Sequence, residues 1–212
     1  MNKLRYLSVL LAILYFASCS QKNIESEDEA TIVKTNDTII YGPLSQLDNS
    51  VEINPYLYKN IDSLHSKINK ITCNEKFPSI SFESSESFKK VILVNSCPHD
   101  IGCHYYRNLI MFYNDSIKRY YDSSLPLDSF PSLLEKHLKN YGQDPDYADA
   151  PRMLLIQITF DTLIPSLLIE RLDFITKKYQ EVKDTTDIKI RLYQVEQPTI
   201  ELLDTIKNKN AP

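Results

Sequence analysis

The chain has 212 residues with 24 basic and 28 acidic side chains, a formal net charge of -4 and a mean hydropathy of -0.31. This acidic balance excludes a nucleic-acid binder that relies on a generally basic surface. Only three glycines are present, which excludes the glycine-rich loops that many phosphate-binding proteins use.

The first eighteen residues have the layout of a secretory signal. Lys3 and Arg5 precede an apolar run at 7–16, and small residues then lead to Cys19. This order is typical of a signal that is removed, and the cysteine after small residues resembles the lipobox of bacterial lipoproteins. The run is about half of the ~20 residues that a membrane-spanning helix needs, so a spanning anchor is the weaker interpretation. We therefore predict a signal peptide over 1–18 and lipidation of Cys19.

A polar, acidic segment follows this cysteine. We predict that residues 19–30 form the lipidated cysteine and a flexible tether. The acidic cluster at 25–29 also resembles surface-export signals in lipoproteins of some Gram-negative groups, although a solvated linker is the preferred interpretation. We expect the protein in the bacterial cell envelope, held to a membrane by lipid and facing the periplasm or the cell surface.

Residues 31–212 are predicted to form a single α+β domain. Two β-branched runs around Asn36 predict a hairpin at 31–41. Apolar residues at 57, 61, 64, 68 and 71 then follow the spacing of one helical face, with Asn54 as the cap and Pro55 in the first turn.

The remaining elements alternate between strands and helices. Apolar or alternating runs predict strands at 90–96, 108–114, 116–122, 153–160 and 188–195, and helical spacing predicts helices at 127–141, 162–179 and 199–207. Asp161 is expected to cap the second of these helices. The order predicts a mixed sheet of about five strands with two to three helices on one face, plus the N-terminal amphipathic helix. The helix before 188–195 predicts a crossover between parallel strands.

Three segments of the second half resemble a known family. They are the run IQITFDTLIPSLLIERLDFI at 156–175, the alternating segment at 187–193, and the preceding strand, turn and helix from residue 116. The family is the ExbD/TolR family of biopolymer-transport accessory proteins, whose extracytoplasmic domain has a buried strand that ends in an aspartate. Asp161 falls at that aspartate, and the resemblance places the family-like core at 88–195. It implies this fold, a tendency to bind periplasmic partners or peptides, and dimerisation.

The chain departs from the family in one respect that concerns function. Family members have a membrane-spanning helix with a carboxylate that takes part in ion-driven work. Residues 7–18 contain neither aspartate nor glutamate, so the resemblance does not extend to energy transduction.

A cluster of reactive residues lies between two predicted strands: Cys97, His99, Asp100, Cys103 and His104. Thiolates and imidazoles can bind zinc, but five residues separate the two cysteines, whereas paired zinc ligands are usually two to four apart. An oxidising compartment favours a disulfide, and we predict one between Cys97 and Cys103. Cys73 remains an alternative partner for either cysteine.

These observations predict a non-enzymatic interaction module without catalytic residues, cofactor or bound metal. Its expected partners are the membrane, through the lipid, and envelope proteins or peptides, with a homodimer as a further expectation. One alternative is a surface lipoprotein that binds glycans through tyrosines at 105–106, 113 and 120–121. Another is a metal- or thiol-dependent enzyme centred on 97–104. His65 and His137 are expected to be solvated or at the rim of the core.

Overall fold

The computed structural model describes residues 34–35, 38–98, 106–118 and 123–194. These residues form three α-helices and two five-stranded mixed sheets, which confirms the α+β class. We predicted one sheet of about five strands, whereas the described residues form two sheets, because the first half of the domain builds a sheet of its own. The signal peptide, Cys19, the tether and the predicted helix at 199–207 lie outside the described residues.

The first sheet has the order β1-β2-β5-β4-β3. Its strands are β1 (Lys34–Thr35), β2 (Thr38–Tyr41), β3 (Ser50–Glu52), β4 (Phe77–Glu83) and β5 (Phe88–Ile92). β1 and β2 pair antiparallel, as the predicted hairpin requires. β3 and β4 were not predicted, because β3 is very short and Pro78 and two serines interrupt the apolar pattern of β4. Ser79 is nevertheless buried, and its hydroxyl donates to the Glu52 carboxylate at 3.1 Å.

Helix α1 (Ile61–Thr72) begins later than its apolar spacing predicts. Asn60 is its cap, and the Asn60 and Ser63 side chains form a reciprocal capping box. Asn54 instead caps a separate 3-10 turn at Pro55–Leu57. Leu57 is consequently 76% exposed, whereas Leu64 and Ile68 are fully buried.

The second sheet has the order β10-β9-β6-β7-β8. Its strands are β6 (Leu109–Tyr113), β7 (Ser116–Lys118), β8 (Ser124–Pro126), β9 (Leu155–Thr159) and β10 (Ile190–Leu192), with helices α2 (Phe130–Lys139) and α3 (Pro165–Lys183). β9 and β10 are parallel and joined through α3, as predicted. β8 was not predicted because it is only three residues long and contains a proline.

The two sheets meet at β10. Leu93, directly after β5, forms an isolated parallel bridge with Ile190. The Asn95 amide extends this pairing, since it accepts from the Leu192 backbone N–H at 3.1 Å and donates to the Leu192 carbonyl at 2.6 Å. At this junction, the Asn95 side chain therefore makes the pair of hydrogen bonds that the backbone of a neighbouring strand would otherwise make.

The core of the second half lies between its sheet and the helices α2 and α3. The Phe130 ring contacts Phe112 of β6 at 5.0 Å and Phe174 of α3 at 5.9 Å between centroids. Leu168, Leu172 and Ile175 form the fully buried face of α3. None of the helices among the described residues has both the length and the apolar character to cross a bilayer.

Candidate functional site

The structure gives Cys97 a different partner from the predicted one. Its sulfur is bonded to Cys73, and the two Cα atoms are 4.8 Å apart. Cys73 is the C-terminal cap of α1 and Cys97 follows the junction with β10, so tertiary packing brings them together over 24 residues of sequence. The predicted bond from Cys97 to Cys103 is therefore wrong. Cys103, His99, Asp100 and His104 lie outside the described residues.

This bond bears on the zinc and thiol alternatives. A sulfur in a disulfide is not the thiolate that coordinates zinc or attacks a substrate, so Cys97 is not available for either role while the bond is intact. Among the residues that the structure describes, no group of three histidine, cysteine, aspartate or glutamate side chains is placed to hold a metal ion.

Asp161 does not cap α3 as predicted. The cap position is Ile164, which makes no side-chain hydrogen bond. The Asp161 carboxylate instead accepts from the Tyr113 hydroxyl and, at 2.8 Å, from the Asn114 amide. These hydrogen bonds hold the pKa of Asp161 below its ordinary value and raise the pKa of Tyr113. Asp161 thus ties the end of β9 to the turn between β6 and β7.

Both histidines predicted to be solvated are buried. His137 is 3% exposed, and its Nδ1 accepts from the Ala148 backbone N–H at 3.0 Å. His65 is 4% exposed, and its Nε2 has no hydrogen-bond partner among the described residues. Burial lowers the pKa of His65, although the Asp62 carboxylate partly offsets this effect.

The buried His65 leads to a pH-dependent stability. The unfolded chain takes up a proton near pH ~6.5, whereas the folded chain resists protonation until a lower pH. The contribution of His65 is therefore complete above the unfolded pKa and is lost as the pH falls, at up to ~1.4 kcal/mol per pH unit. Urea unfolding at pH 7.5, 6.5 and 5.5 measures this effect. As the pH falls, the free energy of unfolding should decrease less for His65→Leu than for the wild type. Equal slopes for the two proteins would contradict this assignment.

An open groove of about 620 Å³ lies between α3 and the first sheet, and we call it the α3 groove. Ile39 and Phe88 contribute apolar surface, and Phe88 is 46% exposed. The remaining lining residues are polar or charged: Glu86, Ser87, Lys89, Lys177, Gln180 and Glu181. The groove therefore combines apolar surface with both signs of charge.

Two sets of largely buried side-chain contacts join the walls of the α3 groove. The Lys89 ammonium, with 4% of its side chain exposed, donates to Asp173 at 2.8 Å and to the Thr176 hydroxyl at 3.3 Å. The Tyr41 hydroxyl donates to Gln180 at 2.7 Å. Burial and the nearby charge of Asp173 raise the pKa of Tyr41 to about 12. The tyrosine therefore stays neutral at ordinary pH and acts as a fixed hydrogen-bond donor.

Removing the Asp173 carboxylate should lower the free energy of unfolding more than removing the charge of the buried Lys89. Asp173→Ala leaves the Lys89 cation buried without its carboxylate, and we expect a loss of about 2 kcal/mol, reduced because Asp173 is 32% exposed. Lys89→Met keeps the volume and removes the charge, so its unfolding free energy should stay within about 1 kcal/mol of the wild type. Urea unfolding followed by circular dichroism measures both. A larger loss for Lys89→Met than for Asp173→Ala would contradict the argument.

The rim of the α3 groove is charged and accessible. The Lys177 ammonium donates to Glu86 at 2.6 Å, and both side chains are largely exposed. Exposed pairs of this kind contribute little stability and can exchange partners. The site can therefore bind a ligand through apolar contact with Ile39 and Phe88 and through rearranged ion pairs at the rim.

The predicted tyrosine set is only partly described. Tyr106, in a 3-10 turn before β6, is 60% exposed, whereas Phe112 of β6 is buried. Tyr113 is half-buried beside the Lys118 ammonium, which lies 5.5 Å from its ring centroid. Tyr105, Tyr120 and Tyr121 lie outside the described residues.

Sequence reasoning did not find the α3 groove. Its residues come from β2, from β5 and the turn before it, and from the C-terminal half of α3, which are far apart in the chain. Lys89 lies outside the predicted strand at 90–96, and its aspartate partner is 84 residues away in the chain.

Comparison with known proteins leaves the function to be argued from these residues. The chain matches no protein-family model, no curated protein and no solved structure.

Proposed function

We propose that this protein is a lipid-anchored protein of the bacterial envelope that acts as a non-enzymatic interaction module. The α3 groove, which is open beside the Lys89–Asp173 ion pair, is the observation that carries the proposal. Concave sites with apolar surface and a few polar groups are the usual places where ligands bind.

The location rests on the signal-like first eighteen residues and on Cys19. The disulfide between Cys73 and Cys97 supports export, because such bonds persist in oxidising compartments and are rare in the cytosol. The arrangement of the second sheet supports the resemblance to the ExbD/TolR domain. A buried strand ends just before Asp161, and α3 then leads to a parallel final strand.

The occupant that best fits the α3 groove is a short peptide segment of an envelope protein. Phe88 and Ile39 offer contact to an apolar side chain, while Lys177 and Glu181 can pair with charges of either sign. Asp161, His137 and Lys89, which are residue types common in catalysis, make structural hydrogen bonds instead. A binding role is compatible with the hydrogen bonds that these side chains already make.

The anchor is tested by replacing Cys19 with alanine. Cells grown with an alkyne-labelled fatty acid should label the wild type, and Cys19→Ala should lose the label and leave the membrane fraction. Continued labelling of Cys19→Ala, or recovery of the wild type in the cytosol, would contradict the proposed anchor.

The groove is tested by site-specific photocrosslinking in intact cells. A benzoylphenylalanine at Phe88 should give a discrete crosslinked species that mass spectrometry assigns to an envelope protein. The same probe at Tyr56, which is 62% exposed and away from the groove, is the matched control. Identical species at both positions, or none at Phe88, would overturn the role of the groove.

A further inference from the structure

The described residues that line the α3 groove expose more negative than positive charge. Glu86 and Glu181 are both exposed, and Lys177 is the exposed cation of this lining. The second lysine of the lining, Lys89, has only 4% of its side chain exposed, and Asp173 neutralises its charge at a distance of 2.8 Å. Two exposed carboxylates and one exposed ammonium therefore face the open space of the groove.

Lys177 lies between carboxylates of both walls of the groove. Asp173, Lys177 and Glu181 follow one another at intervals of four residues along α3, so they share one face of the helix. From this face the Lys177 ammonium reaches the turn before β5, where it donates to Glu86 at 2.6 Å. The hydrogen bond to Glu86, together with the charges of Glu86, Glu181 and Asp173, raises the pKa of Lys177. One ammonium thus serves several carboxylates.

The Lys177–Glu86 pair can exchange one partner for a ligand. The exposed fractions of the two side chains are 44% and 64%, and exposed pairs of this kind contribute little to stability. Lys178, which does not line the groove, bonds one oxygen of Glu181 at 2.8 Å. A cation that replaces Lys177 is attracted by Glu86 and Glu181, whereas an anion that replaces Glu86 is repelled by Glu181. The arrangement therefore favours a ligand with positive charge.

We propose that the α3 groove binds a peptide segment in which a basic side chain stands next to an apolar one. This inference rests on the proposed function and adds the sign of charge that the peptide must carry. The basic group takes the place of Lys177 beside Glu86 and Glu181, and the apolar group packs against Phe88, which is 46% exposed. Lys177 is then an internal competitor of the peptide for the Glu86 carboxylate.

Fluorescence anisotropy of labelled pentapeptides measures the binding. The full-length protein in a neutral detergent is titrated against the peptides FKFKF, FEFEF and FQFQF, which share their aromatic residues and differ in charge. We expect FKFKF to bind most tightly. Its affinity should fall as NaCl rises from about 50 to 500 mM, because salt screens the attraction between charges.

Three single variants test the sign of the charge effect. Glu86→Gln and Glu181→Gln should each weaken the binding of FKFKF by about two- to fivefold, the range expected for an exposed pair. Lys177→Gln should instead tighten the binding by a similar factor, because it removes the internal competitor. Phe88→Ala should weaken the binding of all three peptides, since it removes the exposed apolar contact.

The Lys139–Glu135 pair on α2 provides the matched control, because it is an exposed lysine–glutamate pair away from the groove. Lys139→Gln and Glu135→Gln should bind FKFKF as the wild type does. Equal or tighter binding of FEFEF or FQFQF, unchanged affinity of Glu86→Gln, or weaker binding by Lys177→Gln would refute the preference for a basic peptide. The photocrosslink at Phe88 tests the groove itself, so a discrete crosslinked species alongside any of these results would leave the proposed function intact.

Discussion

Phe130→Ala should lower the unfolding free energy by about 4 kcal/mol, the largest effect that we expect from a single side chain. Phe130 is fully buried at the start of α2, where its ring joins Phe112 of the sheet to Phe174 of α3. Alanine would leave a cavity at the point where three elements meet, and it would remove two aromatic contacts. Urea unfolding followed by far-ultraviolet circular dichroism measures the change, because the chain has no tryptophan.

Two comparisons make this result specific to the core. Phe130→Leu keeps most of the volume and should cost clearly less than alanine. Tyr56→Ala removes an aromatic side chain that is 62% exposed, and it should change the stability by no more than about 0.5 kcal/mol. A loss below about 1 kcal/mol for Phe130→Ala would show that the three elements do not share this contact.

Removing the disulfide should have the second-largest effect. The double variant Cys73→Ser/Cys97→Ser should lose about 3 kcal/mol, since the bond closes a loop over 24 residues and limits the unfolded chain. Wild type treated with a reductant should approach the stability of this double variant. Urea unfolding of the oxidised and reduced proteins measures the difference.

Cys103→Ser distinguishes the observed pairing from the predicted one. If Cys73 and Cys97 are bonded, this variant should retain the wild-type stability within about 0.5 kcal/mol. Peptide mapping under non-reducing conditions should recover the fragments containing Cys73 and Cys97 as one species. A linked fragment pair with Cys97 and Cys103 would contradict the structure.

Local sequence patterns were sufficient for the elements whose apolar residues repeat regularly. The stripes of α2 and α3, the apolar run of β9 and the alternation of β10 are each set by which side chains must leave water, so they can be recognised without a partner. The parallel pairing of β9 with β10 also followed from the intervening helix. The same reasoning did not detect β4, because its burial depends on neighbours that satisfy its serines.

Tertiary structure alone decided the features that depend on distant partners. The amino-acid sequence determined an acidic chain with a lipoprotein-like start and an α+β domain. It predicted Cys103 as the partner of Cys97 where the structure has Cys73, and it did not reveal that His65 and Lys89 are buried, since each outcome depends on which side chains pack there. The α3 groove arises in the same way, because packing brings together residues that are far apart in the chain.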